Sequence, residues 1–175
     1  LEKASFKALT SYLDGVNYKA ILLCKSAHGT SKTNGLIKRL RRELKKNVNR
    51  PIRELYICNR ISNVLGSAKK LELYCYLKED GVTVNQFLYD QDTLAICLHS
   101  LDKIIDLNGY RVTFDLVTID ESEAGALDAA WQNDCHNYLR DIGIDATLIL
   151  MLDADLGDLS FSLARQISEG NGNEL

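Results

Sequence analysis

Short runs of apolar, partly β-branched or aromatic residues alternate along this chain with longer segments that have helical spacing. Runs of this length, bounded by polar or turn residues, are typical of buried strands. The pattern predicts strands at Tyr18–Cys24, Glu54–Cys58, Thr93–Leu98, Thr113–Ile119 and Ala146–Leu152. A helix is expected around Ser5 to Leu13, and Val82–Tyr89 is expected to contribute a further short strand.

Strands that alternate with helices favour a mostly parallel sheet with helices on both faces, an α/β architecture of three layers. In such a sheet, ligands bind beyond the carboxyl ends of the strands. Each predicted strand is followed by small, polar or charged residues, namely Ser26 to Thr33, Asn59-Arg60, His99-Ser100, Asp120-Glu121 and Asp153-Ala154-Asp155. We therefore expect these residues to converge on one edge of the sheet.

The segment after the first strand has the layout of a phosphate-binding loop. An apolar strand leads into Ser26-Ala-His-Gly-Thr-Ser-Lys-Thr33, which opens a helix. Small residues let backbone N–H groups approach a phosphate, and the helix adds its positive N-terminal end. Lys32 would reach the outer phosphates and Thr33 would ligate the accompanying Mg²⁺. The alternative is a solvated surface turn, because short Gly/Ser/Lys/Thr loops are common.

A second feature, Asp120-Glu-Ser-Glu123, follows the strand predicted at Thr113–Ile119. A strand-terminal Asp120 can hold Mg²⁺ through water, and Glu121 can orient and deprotonate an attacking water. Acidic residues also suit the start of a helix, which is the structural alternative. The occurrence of both motifs in this order favours a shared metal and phosphate site.

Composition supports one compact domain at residues 1–168, followed by a polar tail or linker at 169–175. The chain has 175 residues, 46% of them hydrophobic, with Pro51 as its single proline, which fits one buried core without an internal linker. The five cysteines form no Cys-x-x-Cys pair, so we expect reduced thiols rather than disulfides or a zinc site. Without a membrane span or leader, we expect an intracellular, cytoplasmic protein, or a nuclear one if its source is a eukaryotic virus.

Charge is unevenly distributed: from Asp115 onward there are 13 acidic residues against only Arg140 and Arg165. The densest basic stretch is Lys38-Arg-Leu-Arg-Arg-Glu-Leu-Lys-Lys46. Apolar residues recur there every four positions, which predicts a helix with one buried stripe, made of Leu36, Leu40, Leu44 and Val48. The basic residues either contact nucleic-acid phosphates or simply form a solvated helix face.

Taken together, these motifs resemble the first RecA-like domain of a superfamily 2 helicase, a P-loop NTPase fold, over nearly the whole chain. The loop at 26–33 is similar to motif I of that family, and the Asp120-Glu121 box is similar to its D-E-x-x motif. Leu55 to Asn63 resembles motif Ia, and Leu150 to Leu156 stands where the family keeps its coupling motif. The Leu-Asp-Ala-Asp-Leu form of the last segment is similar to replication-initiation helicases of the herpesvirus origin-binding type and related phage or plasmid proteins.

The resemblance implies ATP and Mg²⁺ as ligands, single-stranded DNA as the partner nucleic acid, and a second RecA-like domain that completes the active site. It assigns catalysis to Lys32, Asp120 and Glu121, and the metal to Thr33 and Asp120. The ATP-binding residues that it implies are Gly29, Thr30, Ser31, Lys32 and Thr33. It further implies nucleic-acid contacts from Arg60 and Ser100, and coupling of nucleotide state to movement by Asp153 and Asp155.

Ser31 departs from the family pattern, which has glycine before the lysine. A side chain there is added where the backbone bends around the phosphates, so weak or absent hydrolysis is one expectation. The alternative is a degenerate P-loop domain that serves as a non-catalytic nucleic-acid or partner-docking module of a replication protein. P-loop kinases and partition ATPases fit less well, because Ala27 stands where partition ATPases carry their signature lysine and few arginines are left for a kinase lid.

Overall fold

The structure is a computed structural model, and it describes residues 19–25, 32–77, 92–104, 112–131 and 133–170. The predicted helix at Ser5 to Leu13 and the predicted strand at Val82–Tyr89 lie outside the described residues. Within the described part of the chain, no helix is long and apolar enough to cross a lipid bilayer.

Six strands and five α-helices are formed by the described residues. The strands are β1 (Ala20–Lys25), β2 (Glu54–Cys58), β3 (Tyr74–Cys75), β4 (Thr93–Cys97), β5 (Leu116–Asp120) and β6 (Leu148–Asp153). The helices are α1 (Lys32–Asn47), α2 (Ile61–Leu71), α3 (Ser122–Trp131), α4 (Asn133–Asp145) and α5 (Asp158–Gly170), with a 3₁₀ segment at Leu98–Ile104. The five predicted strands are all present, and β2 has the predicted bounds.

The strands form one sheet in the order β1-β6-β5-β2-β4-β3, and every pairing in it is parallel. The predicted α/β class with a parallel sheet is therefore confirmed. Strand β6 lies between β1 and β5, although it comes last of the three in the chain. Helical crossovers allow such an order, because each parallel connection passes over a face of the sheet.

Two apolar layers cover the sheet, one on each face. One layer packs sheet residues such as Leu150 and Ala95 against α1 and α2, with Ile37, Leu40 and Val64 completely buried. The other layer packs alternate sheet residues against α3, α4, α5 and the 3₁₀ segment. Alternation of side chains along each strand explains this division. Helices lie on both faces, as predicted.

Helix α1 has the predicted buried stripe: Leu40 and Leu44 are buried and Leu36 is partly buried, while Val48, also partly buried, comes one residue after the helix ends. One basic residue in the predicted polar stretch has another role. The Arg41 guanidinium forms an ion pair with Glu54 at the start of β2, with Nη2 donating to Oε1 at 2.9 Å. Its Nη1 also donates to the carbonyl of Leu71 at 2.7 Å. Arg41 therefore joins α1, the sheet and the end of α2.

The Glu54 carboxylate is buried, with only 1% of its side chain exposed. Burial raises the pKa of Glu54, and the hydrogen bond and charge of Arg41 oppose that increase. A buried carboxylate without its partner is costly, since neither water nor a counter-charge stabilises it. The ion pair with Arg41 therefore stabilises the ionised carboxylate of Glu54, the first residue of β2.

We predict that Arg41→Met lowers the free energy of unfolding by about 3 kcal/mol at neutral pH, because it leaves Glu54 unpaired. Without Arg41 the pKa of folded Glu54 rises further, so the folded state binds more protons than the unfolded chain does. The loss of unfolding free energy should then become smaller as pH falls toward the pKa of glutamate in the unfolded chain, about 4. Urea denaturation at pH 5 and pH 8 tests this, with the exposed Arg42→Met as the control. An equal loss at both pH values would contradict it.

Candidate active site

The end of β1 and the end of β5 lie on the same edge of the sheet, hereafter the carboxyl edge. In the strand register, Leu152 of β6 pairs with Cys24 of β1 on one side and with Asp120 of β5 on the other. Neighbouring strands are about 4.8 Å apart, so about 10 Å separates the β1 end from Asp120. That gap suits a phosphate chain with a cation.

Helix α1 begins at Lys32, soon after β1 ends at Lys25, so its N-terminus lies at the carboxyl edge. Lys32 and Thr33 are the first two residues of this 16-residue helix, and its first turn contains no acidic residue. The partial positive charge of the helix N-terminus is therefore available to an anion. The predicted loop residues Gly29, Thr30 and Ser31 lie outside the described residues.

Asp120 is the last residue of β5 and is held by a tyrosine of the neighbouring strand. The Tyr56 hydroxyl donates a hydrogen bond to Oδ2 of Asp120 at 2.5 Å. Burial, together with the Asp120 carboxylate, raises the pKa of Tyr56. Tyr56 therefore stays protonated and donates to Asp120.

Glu121 has a backbone φ of 55°, in the left-handed region that non-glycine residues seldom adopt. This conformation turns the chain from β5 into α3, which begins at Ser122. Asn63 of α2 donates from Nδ2 to Glu121 Oε1 at 3.4 Å. A left-handed glutamate costs about 1 kcal/mol or more relative to an ordinary conformation. Such local strain beside a strand end is common where a side chain must have a particular direction.

Asp153, the last residue of β6, binds two backbone N–H groups. Its Oδ2 accepts from Glu123 N at 2.7 Å, and its Oδ1 accepts from Asp155 N at 2.9 Å. Asp153 thus satisfies an unpaired donor in the first turn of α3. The structure connects it to the acidic box that begins at Asp120. Asp155 itself is exposed, and its own N–H is what joins it to Asp153.

Glu123 caps α5, the helix that follows β6, a role that its position in the sequence did not indicate. Its Oε2 accepts from Gly157 N at 3.0 Å and Ser160 N at 2.9 Å, and its Oε1 accepts from Leu159 N at 3.3 Å. Burial acts to raise the pKa of Glu123, but these backbone hydrogen bonds outweigh burial and lower it. Asp153 at the end of β6 therefore caps α3, and Glu123 in the first turn of α3 caps α5. We call this arrangement the crossed caps.

Two further features support the crossed caps. The buried hydroxyls of Ser122 and Ser160 are 3.0 Å apart. A Cβ added to Gly157 would lie 2.7 Å from Oε1 of Glu123, so glycine is needed for the carboxylate to approach this closely. The loop after β6 is in this way fixed to the acidic box after β5.

The two predicted nucleic-acid residues follow neighbouring strands at the same edge. Cys58 of β2 pairs with Cys97 of β4, and Arg60 and Ser100 come shortly after these residues. Arg60 is exposed at the N-cap of α2, while Ser100 donates to the Tyr76 hydroxyl at 3.3 Å. The carboxyl edge therefore has two halves: the ends of β1, β6 and β5 form one half, and the ends of β2 and β4 form the other.

No group of three or more His, Cys, Asp or Glu side chains among the described residues could hold a metal ion by itself. Asp120 nevertheless fits a Mg²⁺ site of the kind that nucleotides bring with them. Mg²⁺ prefers hard oxygen ligands and takes few of them from the protein, the remainder being phosphates and water. The strand-end carboxylate of Asp120 offers such an oxygen ligand.

Comparison with known proteins agrees with this fold. No protein-family model matches the chain, and no curated protein matches it in sequence. Among solved structures, it is similar to the SWI2/SNF2 ATPase core of Sulfolobus solfataricus in complex with dsDNA, with a TM-score of 0.60 and 17% sequence identity. The match covers 95% of this chain and 35% of that one, so the chain spans about a third of its neighbour's length. The predicted RecA-like fold is confirmed.

We predict that Glu123→Gln lowers the free energy of unfolding by about 1 kcal/mol at pH 7, because an amide accepts backbone hydrogen bonds less strongly than a carboxylate. The folded pKa of Glu123 lies below its unfolded value. Its stabilising effect is therefore complete above the unfolded pKa and is lost as pH falls through the folded pKa.

Urea denaturation of wild type and Glu123→Gln at pH 7 and at pH 3 measures this effect, with exposed Glu169→Gln, near the end of α5, as the control. The difference in the free energy of unfolding should be full at pH 7 and smaller at pH 3. An equal difference at both pH values would show that the carboxylate charge does not stabilise the cap.

Proposed function

We propose that this chain is the ATP-binding first motor domain of a superfamily 2 helicase, which couples ATP hydrolysis to movement along or unwinding of nucleic acid. The observation that carries the proposal is the common edge shared by the α1 N-terminus and the Asp120-Glu121 pair, with one strand between them. A site for a triphosphate requires both a cluster of phosphate donors and an opposing carboxylate.

In this proposal, backbone N–H groups at Gly29, Thr30 and Ser31 bind the phosphates together with Lys32. Thr33 and Asp120 hold Mg²⁺. When bound, Mg²⁺ neutralises charge on the phosphate oxygens during phosphoryl transfer. The hydrogen bond from Tyr56 holds the Asp120 carboxylate in one orientation before Mg²⁺ binds. Less conformational entropy is therefore lost when the metal binds.

Glu121 is assigned as the base. It accepts a proton from the water that attacks the γ-phosphorus, the bond from that phosphorus to the β,γ-bridging oxygen breaks, and ADP leaves with the bond's electron pair. The hydrogen bond from Asn63 and the left-handed backbone of Glu121 support the carboxylate. The crossed caps connect Glu123, two residues after Glu121, to Asp153, which also accepts from the backbone N–H of Asp155. A displacement of the end of β5 would therefore be transmitted to the end of β6. This is the coupling role we assign to Asp153 and Asp155.

The half of the carboxyl edge at β2 and β4 is proposed to contact nucleic acid. Arg60 would bind a phosphate group there, and the Ser100 region would make a second contact. The solved relative is a complex with dsDNA, which supports a nucleic-acid partner in general. We assign single-stranded DNA as the strand that is bound, and a replication role from the sequence of the segment around Asp153. A second RecA-like domain would supply the arginines that complete charge stabilisation.

The serine at position 31 supports a second candidate, a degenerate P-loop domain that serves as a non-catalytic nucleic-acid or partner-docking module of a replication protein. Its side chain is added where the family has glycine, and tight backbone curvature at a phosphate is easier for glycine. The second candidate retains the fold and the nucleic-acid half of the carboxyl edge. It differs from the first only in the fate of ATP.

We predict that millimolar ATP with Mg²⁺ raises the melting temperature of the chain, and that Lys32→Ala abolishes the increase. At a ligand concentration of about 100 times Kd, binding stabilises the folded state by about 2.7 kcal/mol. Differential scanning fluorimetry measures this, with exposed Lys38→Ala in the same helix as the control. Equal increases for Lys32→Ala and Lys38→Ala would exclude Lys32 from the site, and no increase with wild type would refute nucleotide binding.

We also predict that residues 1–175 alone hydrolyse ATP slowly, even with single-stranded DNA, because we assign the arginines that stabilise the transferred phosphoryl group to a second RecA-like domain. Glu121→Gln should leave the ATP-induced increase in melting temperature in place while removing the residual phosphate release. A coupled phosphate-release assay tests this. Rapid DNA-stimulated turnover by the chain alone would contradict the need for a second domain.

A further inference from the structure

Tyr56 is a large polar side chain in the middle of the sheet, where the other strand residues are mostly aliphatic. It lies in β2, has no exposed surface, and belongs to the apolar layer under α1 and α2. A buried tyrosine hydroxyl costs stability unless it has a hydrogen-bond partner. The partner here is Asp120, which is 64 residues later in the chain.

The hydroxyl meets Asp120 at the point where the neighbouring strand ends. Donor and acceptor are 2.5 Å apart, which is typical of a strong O–H···O⁻ bond. The Ser67 hydroxyl of α2 also hydrogen-bonds to Tyr56. Tyr56 is thus fixed by the packing of its ring and by a second hydrogen bond, and it in turn fixes Oδ2 of Asp120.

We propose that Tyr56 is a positioning residue for the metal carboxylate: its hydroxyl sets the orientation of Asp120 and thereby the Mg²⁺ affinity of the nucleotide complex. This inference rests on the proposed assignment of Asp120 to Mg²⁺. Hydrogen-bond partners of metal-binding carboxylates change metal affinity by about 10-fold to 100-fold when they are removed. We expect the lower end of that range, because Asp120 is assigned to hold the ion through water.

A merely structural role makes a different prediction. If the bond serves only to satisfy a buried hydroxyl, then Tyr56→Phe changes the stability of the chain but not its Mg²⁺ requirement. Phenylalanine retains the ring and therefore the packing against α1 and α2, and it removes only the donor. Metal affinity measured apart from catalysis distinguishes the two roles.

The experiment measures the binding of the non-hydrolysable ATP analogue AMP-PNP to the full chain by its effect on melting temperature, as Mg²⁺ is varied. Each variant is compared with its own melting temperature without ligand. Mn²⁺ binding to the same complexes is followed by electron paramagnetic resonance as a direct measure of metal affinity. The variants are Tyr56→Phe, Asp120→Asn and, as a matched control, Tyr138→Phe in α4, which packs on the other face of the sheet.

We expect Tyr56→Phe to raise the Mg²⁺ midpoint and the Mn²⁺ dissociation constant about tenfold, with metal-free AMP-PNP binding unchanged. Asp120→Asn should raise both by more, and Tyr138→Phe should match wild type. Ser67→Ala, which removes the hydrogen bond to Tyr56 and leaves the Tyr56 hydroxyl in place, should shift both about twofold in the same direction. It provides the test if Tyr56→Phe does not fold.

Two results would overturn the inference, and they differ in what they leave standing. Wild-type metal binding by Tyr56→Phe, or by Ser67→Ala in its place, together with weakened binding by Asp120→Asn, would make Tyr56 structural and leave the proposed function intact. Wild-type metal binding by Asp120→Asn would remove Asp120 from the metal site, and both the proposed metal role and the inference would fail.

Discussion

The parallel pairing of β5 with β2 on one side and with β6 on the other is the constraint on which the rest of the molecule depends. It places Asp120 at the same edge as the end of β1 and the beginning of α1. It also brings Tyr56 beside Asp120, and Asp153 beside Glu121. A shift of one residue in this register would turn Asp120 to the opposite face of the sheet, away from Tyr56.

Charged groups at the two edges are held in different ways. At the amino edge, Arg41 pairs with buried Glu54, and Arg50 makes a bidentate pair with Asp115 at 2.7 and 2.8 Å. Those pairs anchor helix and loop to the sheet. At the carboxyl edge, Asp153 and Glu123 instead accept backbone N–H groups. Those two carboxylates are thus held by backbone N–H groups, and no ion pair with an arginine is formed by them among the described residues.

The strands were predictable because each is an apolar run with polar ends, and β2 matched at both bounds. Strand β3, two residues long at Tyr74–Cys75, was missed because so short a strand has no periodicity. The identity of Asp120 and Glu121 as a strand-end pair was visible in the sequence. The cap formed by Glu123 was not, since its partners are 34 to 37 residues away and depend on how β5 and β6 pair.

A crystal structure of the chain with Mg²⁺ and AMP-PNP would show whether the α1 N-terminus and Asp120 are the two sides of one phosphate site. We expect the β- and γ-phosphates at the N-terminus of α1, with the ion between them and Asp120, across the end of β6. Phosphates bound elsewhere on the molecule, or an ion that Asp120 does not approach directly or through water, would contradict it.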